Sequence, residues 1–216
     1  GSIPWENKCE NRLIDKIIKA GDRIFFVPFS AKYLTVYDTA TSEYSKVDIR
    51  NVEGIHVQGV FVDAFASDQY IYLIGGTAPA IVRVDLNDYS VQVLKSCFDD
   101  VNPMVFNPTD SYFRSCGIVY DDCFITPFCN ANAVLIFYYR EMKYKIIRIS
   151  NDENGYSGIR ESGNCFWLSP RRGGMPLVKC DSNFKVIKTK QIYENTLLSG
   201  IEIINGNPTL FTFQPI

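Results

Sequence analysis

The sequence predicts an all-β protein made of five consecutive four-stranded antiparallel units, the last of them incomplete. Three observations carry this. First, β-rich runs ending in proline or glycine recur: "RIFFVP" at 23–28, "YIYLIG" at 70–75, "CFITP" at 123–127, "CFWLSP" at 165–170 and "TLFTFQP" at 209–215. Second, a turn and another apolar run follow the first four of these: "YLTVYD", "AIVRVD", "AVLIFYY" and "PLVKCD". Third, the run starts recur roughly every 42 to 52 residues, the length of a four-stranded repeat.

Each element has its local reason. A leading strand stands upstream of every copy: "LIDKIIKA", "FVDAFAS", "CGIVYD", "SGIRES" and "SGIEIIN". The second strand stops at Pro28, Gly75, Pro127, Pro170 or Pro215, because proline cannot donate to a ladder and so ends the strand and opens a turn. The third strand closes on Asp38, Asp85 and Asp181, with Tyr138 in that slot of the third copy. An aspartate there accepts from backbone two residues on and starts the next turn. The fourth strands are "YSKVDI", "SVQVL", "YKIIRI" and "KVIKTKQI". Gly75-Gly76 and Gly173-Gly174 fall in hairpin turns with no helix behind them, so they supply turn geometry and form no nucleotide fingerprint.

Strand count, period and hairpin connectivity together predict a five-bladed β-propeller, incomplete in its last blade. A single domain over 3–216 is expected, with repeat units at about 11–50, 61–95, 114–150, 157–193 and 199–216. The recurring strand, turn and strand closing on aspartate resemble β-propeller repeats, of which kelch-like and quinoprotein-like blades come nearest. A kelch double glycine in every copy and a tryptophan-aspartate pair are both missing. The fifth copy reaches only its second strand, so "IPWENKCE" at 3–10, the remainder of a longer chain, or an edge-pairing partner or oligomer would have to complete it.

Composition narrows the function classes. Apolar residues make up 46% and charged residues 21% of the 216, with a net charge of −2. Those values suit a soluble globular domain and give no basic footprint for nucleic acid or an anionic membrane. Seven scattered cysteines without a CxxC pair, and one histidine, His56, exclude ordinary zinc spacings. No metal or other cofactor is expected. The odd cysteine count points to reduced thiols and a cytoplasmic setting, with secretion as the alternative. Cys123, Cys165 and Cys180 fall in strand slots and read as core fillers, whereas Cys129, in the turn "PFCNANA", is expected to be exposed.

In propellers, ligands usually meet the face formed by the loops between second and third strands and the loops entering each leading strand. By that resemblance the face would present Phe29, Phe128, Asn130, Arg171 and Arg172. The long segment "KSCFDDVNPMVFNPTDSYFRS" would add Tyr112, Phe113 and Arg114. Aromatics with arginines are the composition of a recognition surface, so the expected function is a non-catalytic binding module for a protein or peptide. A lectin-like, carbohydrate-binding propeller is one alternative. A glycoside hydrolase is the other, with Asp15, Asp63 and Glu202 of the leading strands as its carboxylates. Counted back from the following strand, Asp63 and Glu202 share a register and Asp15 is one residue off. Hydrolysis would need two such groups facing across a substrate.

Overall fold

The structure is a computed structural model and describes residues 12–52, 55–192 and 197–213. The chain divides into two compact units, Gly1–Phe98 and Asp99–Ile216. In the first unit, β1 (Ile14–Ala20), β2 (Arg23–Pro28), β3 (Leu34–Asp38) and β4 (Glu43–Val47) form one antiparallel sheet in sequence order. A short ribbon of β5 (Asn51–Val52) and β6 (Ile55–His56) follows. The second sheet holds β7 (Phe61–Ala66), β8 (Tyr70–Gly75), β9 (Ile81–Asp85) and β10 (Val91–Leu94).

The connection to the second unit carries helix α1 (Ser96–Val101) and a 3-10 turn, Asn102–Met104. The second unit has two further four-stranded sheets. One is β11 (Ile118–Tyr120), β12 (Cys123–Pro127), β13 (Ala133–Tyr138) and β14 (Lys143–Arg148). The other is β15 (Tyr156–Glu161), β16 (Phe166–Pro170), β17 (Pro176–Cys180) and β18 (Val186–Gln191). A two-stranded hairpin, β19 (Leu197–Ile204) and β20 (Asn207–Phe213), stands where a fifth sheet begins. The segment 3–10 lies outside the described residues.

Local chemistry sets these turns as the sequence predicts. Asp38, Asp85 and Asp181 each accept a hydrogen bond from the backbone N–H two residues on, at Ala40, Asn87 and Asn183, over 2.9, 2.7 and 2.9 Å. The turn before each fourth strand holds one residue in the left-handed region: Ser42, Tyr89, Met142 and Phe184, with φ between 54° and 62°. A non-glycine residue there costs about 1 kcal/mol, so the packing around it must hold it in place.

Each unit has its own apolar core. Phe25, Val27, Leu34, Phe61, Ile71 and Leu73 are fully buried in the first. In the second, Tyr156, Ile159, Phe166, Leu168 and Cys180 are, and Phe166 stacks on Phe184 with ring centroids 4.7 Å apart. The six described cysteines are free thiols.

One backbone feature repeats that sequence reading does not reveal. The leading strand of four blades carries a β-bulge within two residues of its start. The pairing slips between Ile14 and Lys16, Phe61 and Asp63, Tyr156 and Gly158, and Leu198 and Gly200. Bulges re-aim side chains and sharpen twist next to binding sites. They also correct the expected carboxylate register. Asp63 pairs with Ile74 immediately past its bulge, whereas Glu202 pairs with Thr209 two steps deeper. The hairpin linking β7 to β8 closes at Ala66↔Ile71 and that linking β19 to β20 at Ile204↔Asn207, so counting back from the next strand misaligns them by two.

Candidate functional site

The second unit holds an open cleft of about 490 Å³ where β15 and β19 lie side by side. Its floor is made by the two bulges: Ser157 and Gly158 from β15, Leu198, Gly200 and Ile201 from β19. Gly158 is needed for the close approach of the strands, because a Cβ there would stand 2.8 Å from Ile201 Cγ2. A Cβ on Gly200 would meet nothing within 4 Å. Three guanidiniums, of Arg114, Arg160 and Arg171, line the walls, and Phe211 adds an exposed ring.

Long-range contacts of the segment before β11 position the arginines. Cys129 N–H donates to Tyr112 O at 2.7 Å, Phe106 N–H donates to Asn130 O at 3.0 Å, and Val105 bridges Ala131. The segment therefore folds over the turn between β12 and β13. That turn in turn holds the start of β15, through Tyr156 N–H to Phe128 O at 2.8 Å. Gly155 passes so close to Cys129 that a Cβ would lie 1.8 Å from its carbonyl oxygen.

Asp110 lies between two of the arginines. Arg171 Nε and Nη2 stand 3.3 and 3.4 Å from its carboxylate oxygens, and Arg114 Nη2 stands 3.9 Å from Oδ1. Ser111 N–H donates to that same Oδ1 at 2.9 Å. Arg160 is held more closely: Nη2 and Nε reach the two Glu202 oxygens at 2.7 and 3.1 Å. The hydrogen bonds from Arg160 hold the Glu202 carboxyl below its ordinary range, against a smaller opposing effect of burial. Burial pushes the Cys129 thiol up to about 12, although Arg171 and Arg114 pull the other way, so it stays protonated at neutral pH.

The predicted loop-face residues do not all meet. Arg114 and Arg171 converge at the cleft, while Arg172 is exposed beside a small pocket with Asp110, Cys129 and Met175. Tyr112 is half-buried, its hydroxyl bonded to Asn102 Oδ1 at 3.0 Å. Three expectations of display need correction: Phe113 and Phe128 are 0% and Asn130 1% exposed. Phe128 packs on Phe113, with ring centroids 4.5 Å apart, under the overlying segment. Cys129, expected to be exposed, is buried for the same reason. Phe29 belongs to the first unit, half-buried with the Arg12 guanidinium over its ring at 5.0 Å.

The carboxylates named for hydrolysis are each engaged by a cation. Lys16 Nζ lies 2.5 Å from Asp63 Oδ1, and Arg12 Nη2 lies 2.5 Å from Asp15 Oδ1. Glu202 lines the cleft in its pair with Arg160. Sequence reading missed Arg160 and the glycine floor. The signal was present as the tripeptide Ser-Gly-Ile at 157–159 and again at 199–201, followed by Arg160 in one copy and Glu202 in the other.

The fold is similar to that of proteins of known structure. The chain is similar to hydrazine synthase of Kuenenia stuttgartiensis, with TM-score 0.63 and 14% identity over 97% of this chain and 59% of that one. It is similar to a virginiamycin B lyase of Staphylococcus aureus, determined with quinupristin, with TM-score 0.59 and 14% identity over 91% and 61%. The Swd1 β-propeller domain of Myceliophteria thermophila matches with TM-score 0.56 and 9% identity over 93% and 62%. The fold is that of the β-propellers. No protein-family model matches the sequence, and no curated protein matches it significantly. The chain spans less than two thirds of the length of these three propeller chains, at 59%, 61% and 62%. At such identities the likeness speaks for the fold. These propellers include a synthase, a lyase and a protein named only as a propeller domain, so function has to be argued from the site.

Proposed function

We propose that the protein is a binding module that takes a protein or peptide segment in the cleft between β15 and β19. The observation that carries this is the composition of the cleft. Three guanidiniums stand over a backbone floor, beside Leu198, Ile201 and the exposed Phe211. Arginine and aromatic anchors around an open groove suit a chain that brings both polar and apolar side chains. An acid/base pair would need one carboxyl kept protonated. Glu202 is instead held ionised by Arg160.

The test uses peptides selected against the wild-type protein from a displayed library, with a glycan array in parallel. Gly200→Leu fills the cleft from a position where a Cβ meets open space. The selected peptides should lose at least about tenfold in affinity for this variant while its melting temperature holds, with the glycan array silent. Peptides that bind the variant equally well would remove the cleft from the reading. Glycan binding that disappears in Gly200→Leu would replace a peptide ligand with a carbohydrate.

A further inference from the structure

We infer that the segment bound in this cleft is acidic, and that Asp110 is an internal occupant whose place on Arg114 and Arg171 the ligand's carboxylate takes. The inference rests on the cleft being the binding site. It begins from a charge count along the wall. Arg160 has Glu202 to itself at 2.7 and 3.1 Å, a forked pair of good geometry. Arg114 and Arg171 share the single carboxylate of Asp110. Among the described residues, two cations against one anion leave this part of the wall positive, which suits an incoming carboxylate.

The second step concerns how firmly Asp110 is held. Charge-assisted N–H···O bonds settle at about 2.7–2.9 Å. Its contacts with the two arginines are 3.3, 3.4 and 3.9 Å. Arg171 Nε is shielded from solvent yet makes no hydrogen bond among the described residues. A buried donor left without a bond is unfavourable, and a carboxylate arriving at bonding distance would relieve that. The anchor that holds Asp110 best is the Ser111 amide, at 2.9 Å, and it needs neither arginine. The Oδ1 that Ser111 holds is also the oxygen facing Arg114 and Arg171, so Asp110 loosens this one local bond when it swings away from them.

The third step is shape. Ser157 and the Gly158 and Gly200 backbones leave the floor open in front of the arginines, and Phe211 flanks it. A side chain of glutamate length can reach the guanidiniums while an apolar neighbour covers Phe211. This selects a peptide of mixed acidic and apolar sequence over a small anion.

The test compares acetylated, amidated Glu-Glu-Leu-Glu-Glu with its Gln-Gln-Leu-Gln-Gln counterpart and with N-acetylglutamate amide, by calorimetry on the full chain. The acidic peptide should bind wild type at least about tenfold more tightly than the glutamine peptide, and the single residue more weakly still. Asp110→Asn should tighten the acidic peptide about five- to tenfold and leave the glutamine peptide unchanged, because it removes the competitor and keeps the turn. Equal or weaker binding by a folded Asp110→Asn would make Asp110 a tether and overturn its role as occupant. If that variant does not fold, exchange of the Ser111 amide in wild type decides: faster exchange with the acidic peptide supports displacement, and slowed or unchanged exchange overturns it. No binding of the acidic peptide by any form would end the acidic assignment. The cleft itself would stand as long as library-selected peptides remain sensitive to Gly200→Leu. Competition by N-acetylglutamate amide equal to the peptide's would overturn recognition of a segment.

Discussion

In the first unit, Lys16 on β1 and Asp63 on β7 stand one step past their bulges and meet at 2.5 Å. In the second unit the same two positions are Gly158 on β15 and Gly200 on β19. Both are places where the leading strands of neighbouring blades run side by side. One is closed by an ion pair, and the other has a cleft. The second unit has its cross-strand pair too, Arg160 with Glu202, but two residues deeper along each strand. Moving the pair by one pleat repeat keeps it on the same face and vacates the bulge. A site can thus be made in a repeat fold by relocating one ion pair, with no change of backbone plan.

The sharpest way to break this comparison is Lys16→Met. The Asp63 side chain is 3% exposed, and the substitution withdraws its ammonium partner. Removing one partner of a buried pair costs about 3–5 kcal/mol, and the 41% exposure of Lys16 brings the expectation down to about 2–3. Adding Asp63→Leu should recover at least half of that loss in chemical denaturation, since no buried charge is then left without its cation. The matching change in the second unit, Arg160→Met, should cost under about 1 kcal/mol, because Glu202 is 51% exposed and water takes over its solvation. If the two losses were equal, the pairs would not differ as their burial says.

The parts legible in the sequence were those set within a few residues. Proline and glycine strand ends, and aspartates that cap turns two residues on, follow from local backbone chemistry, and the structure shows them in place. The bulges were not legible, because one extra residue in a strand leaves no compositional mark. The same blindness misaligned Asp63 with Glu202. Burial of Phe128, Cys129 and Asn130 was hidden for another reason: it depends on contacts such as Cys129 to Tyr112, made by a segment that shows no periodicity. Of the site, Arg114 and Arg171 were read from loop composition. The pairing of Gly158 with Gly200 needed the register.

A smaller effect sharpens the role of the floor. Gly158→Ala places a methyl 2.8 Å from a branched, buried side chain, Ile201. It should cost about 1–2 kcal/mol in thermal or urea unfolding, the scale of mild overpacking. Gly200→Ala, with nothing within 4 Å of its new Cβ, should stay within about 0.5 kcal/mol of wild type. Equal costs at both positions would mean that the floor is not shaped by the approach of β15 to β19.

The smallest expected effect separates the two regions by their response to pH. Asp15 sits beside the Lys16–Asp63 pair with its side chain 4% exposed. Burial raises its pKa above 3.8; Arg12 opposes this, the Asp63 charge adds to it, and Lys16 opposes it. Between 3.8 and the raised value the folded chain binds more protons at Asp15 than the unfolded chain does, so this contribution to stability falls as pH rises through that window. Asp15→Asn cannot ionise. Its melting temperature relative to wild type should therefore climb across the window and level off above it. Glu202 has the opposite sign. Hydrogen bonds from Arg160 lower its pKa from 4.5, so its contribution is present above that value and is lost as pH falls through the depressed pKa. Glu202→Gln should accordingly fall behind wild type as pH rises from acid, and by little, because the pair is exposed. Melting curves of both variants from acid to neutral pH should diverge from wild type in opposite directions. Parallel curves would show that Asp15 pays no burial cost in the closed seam.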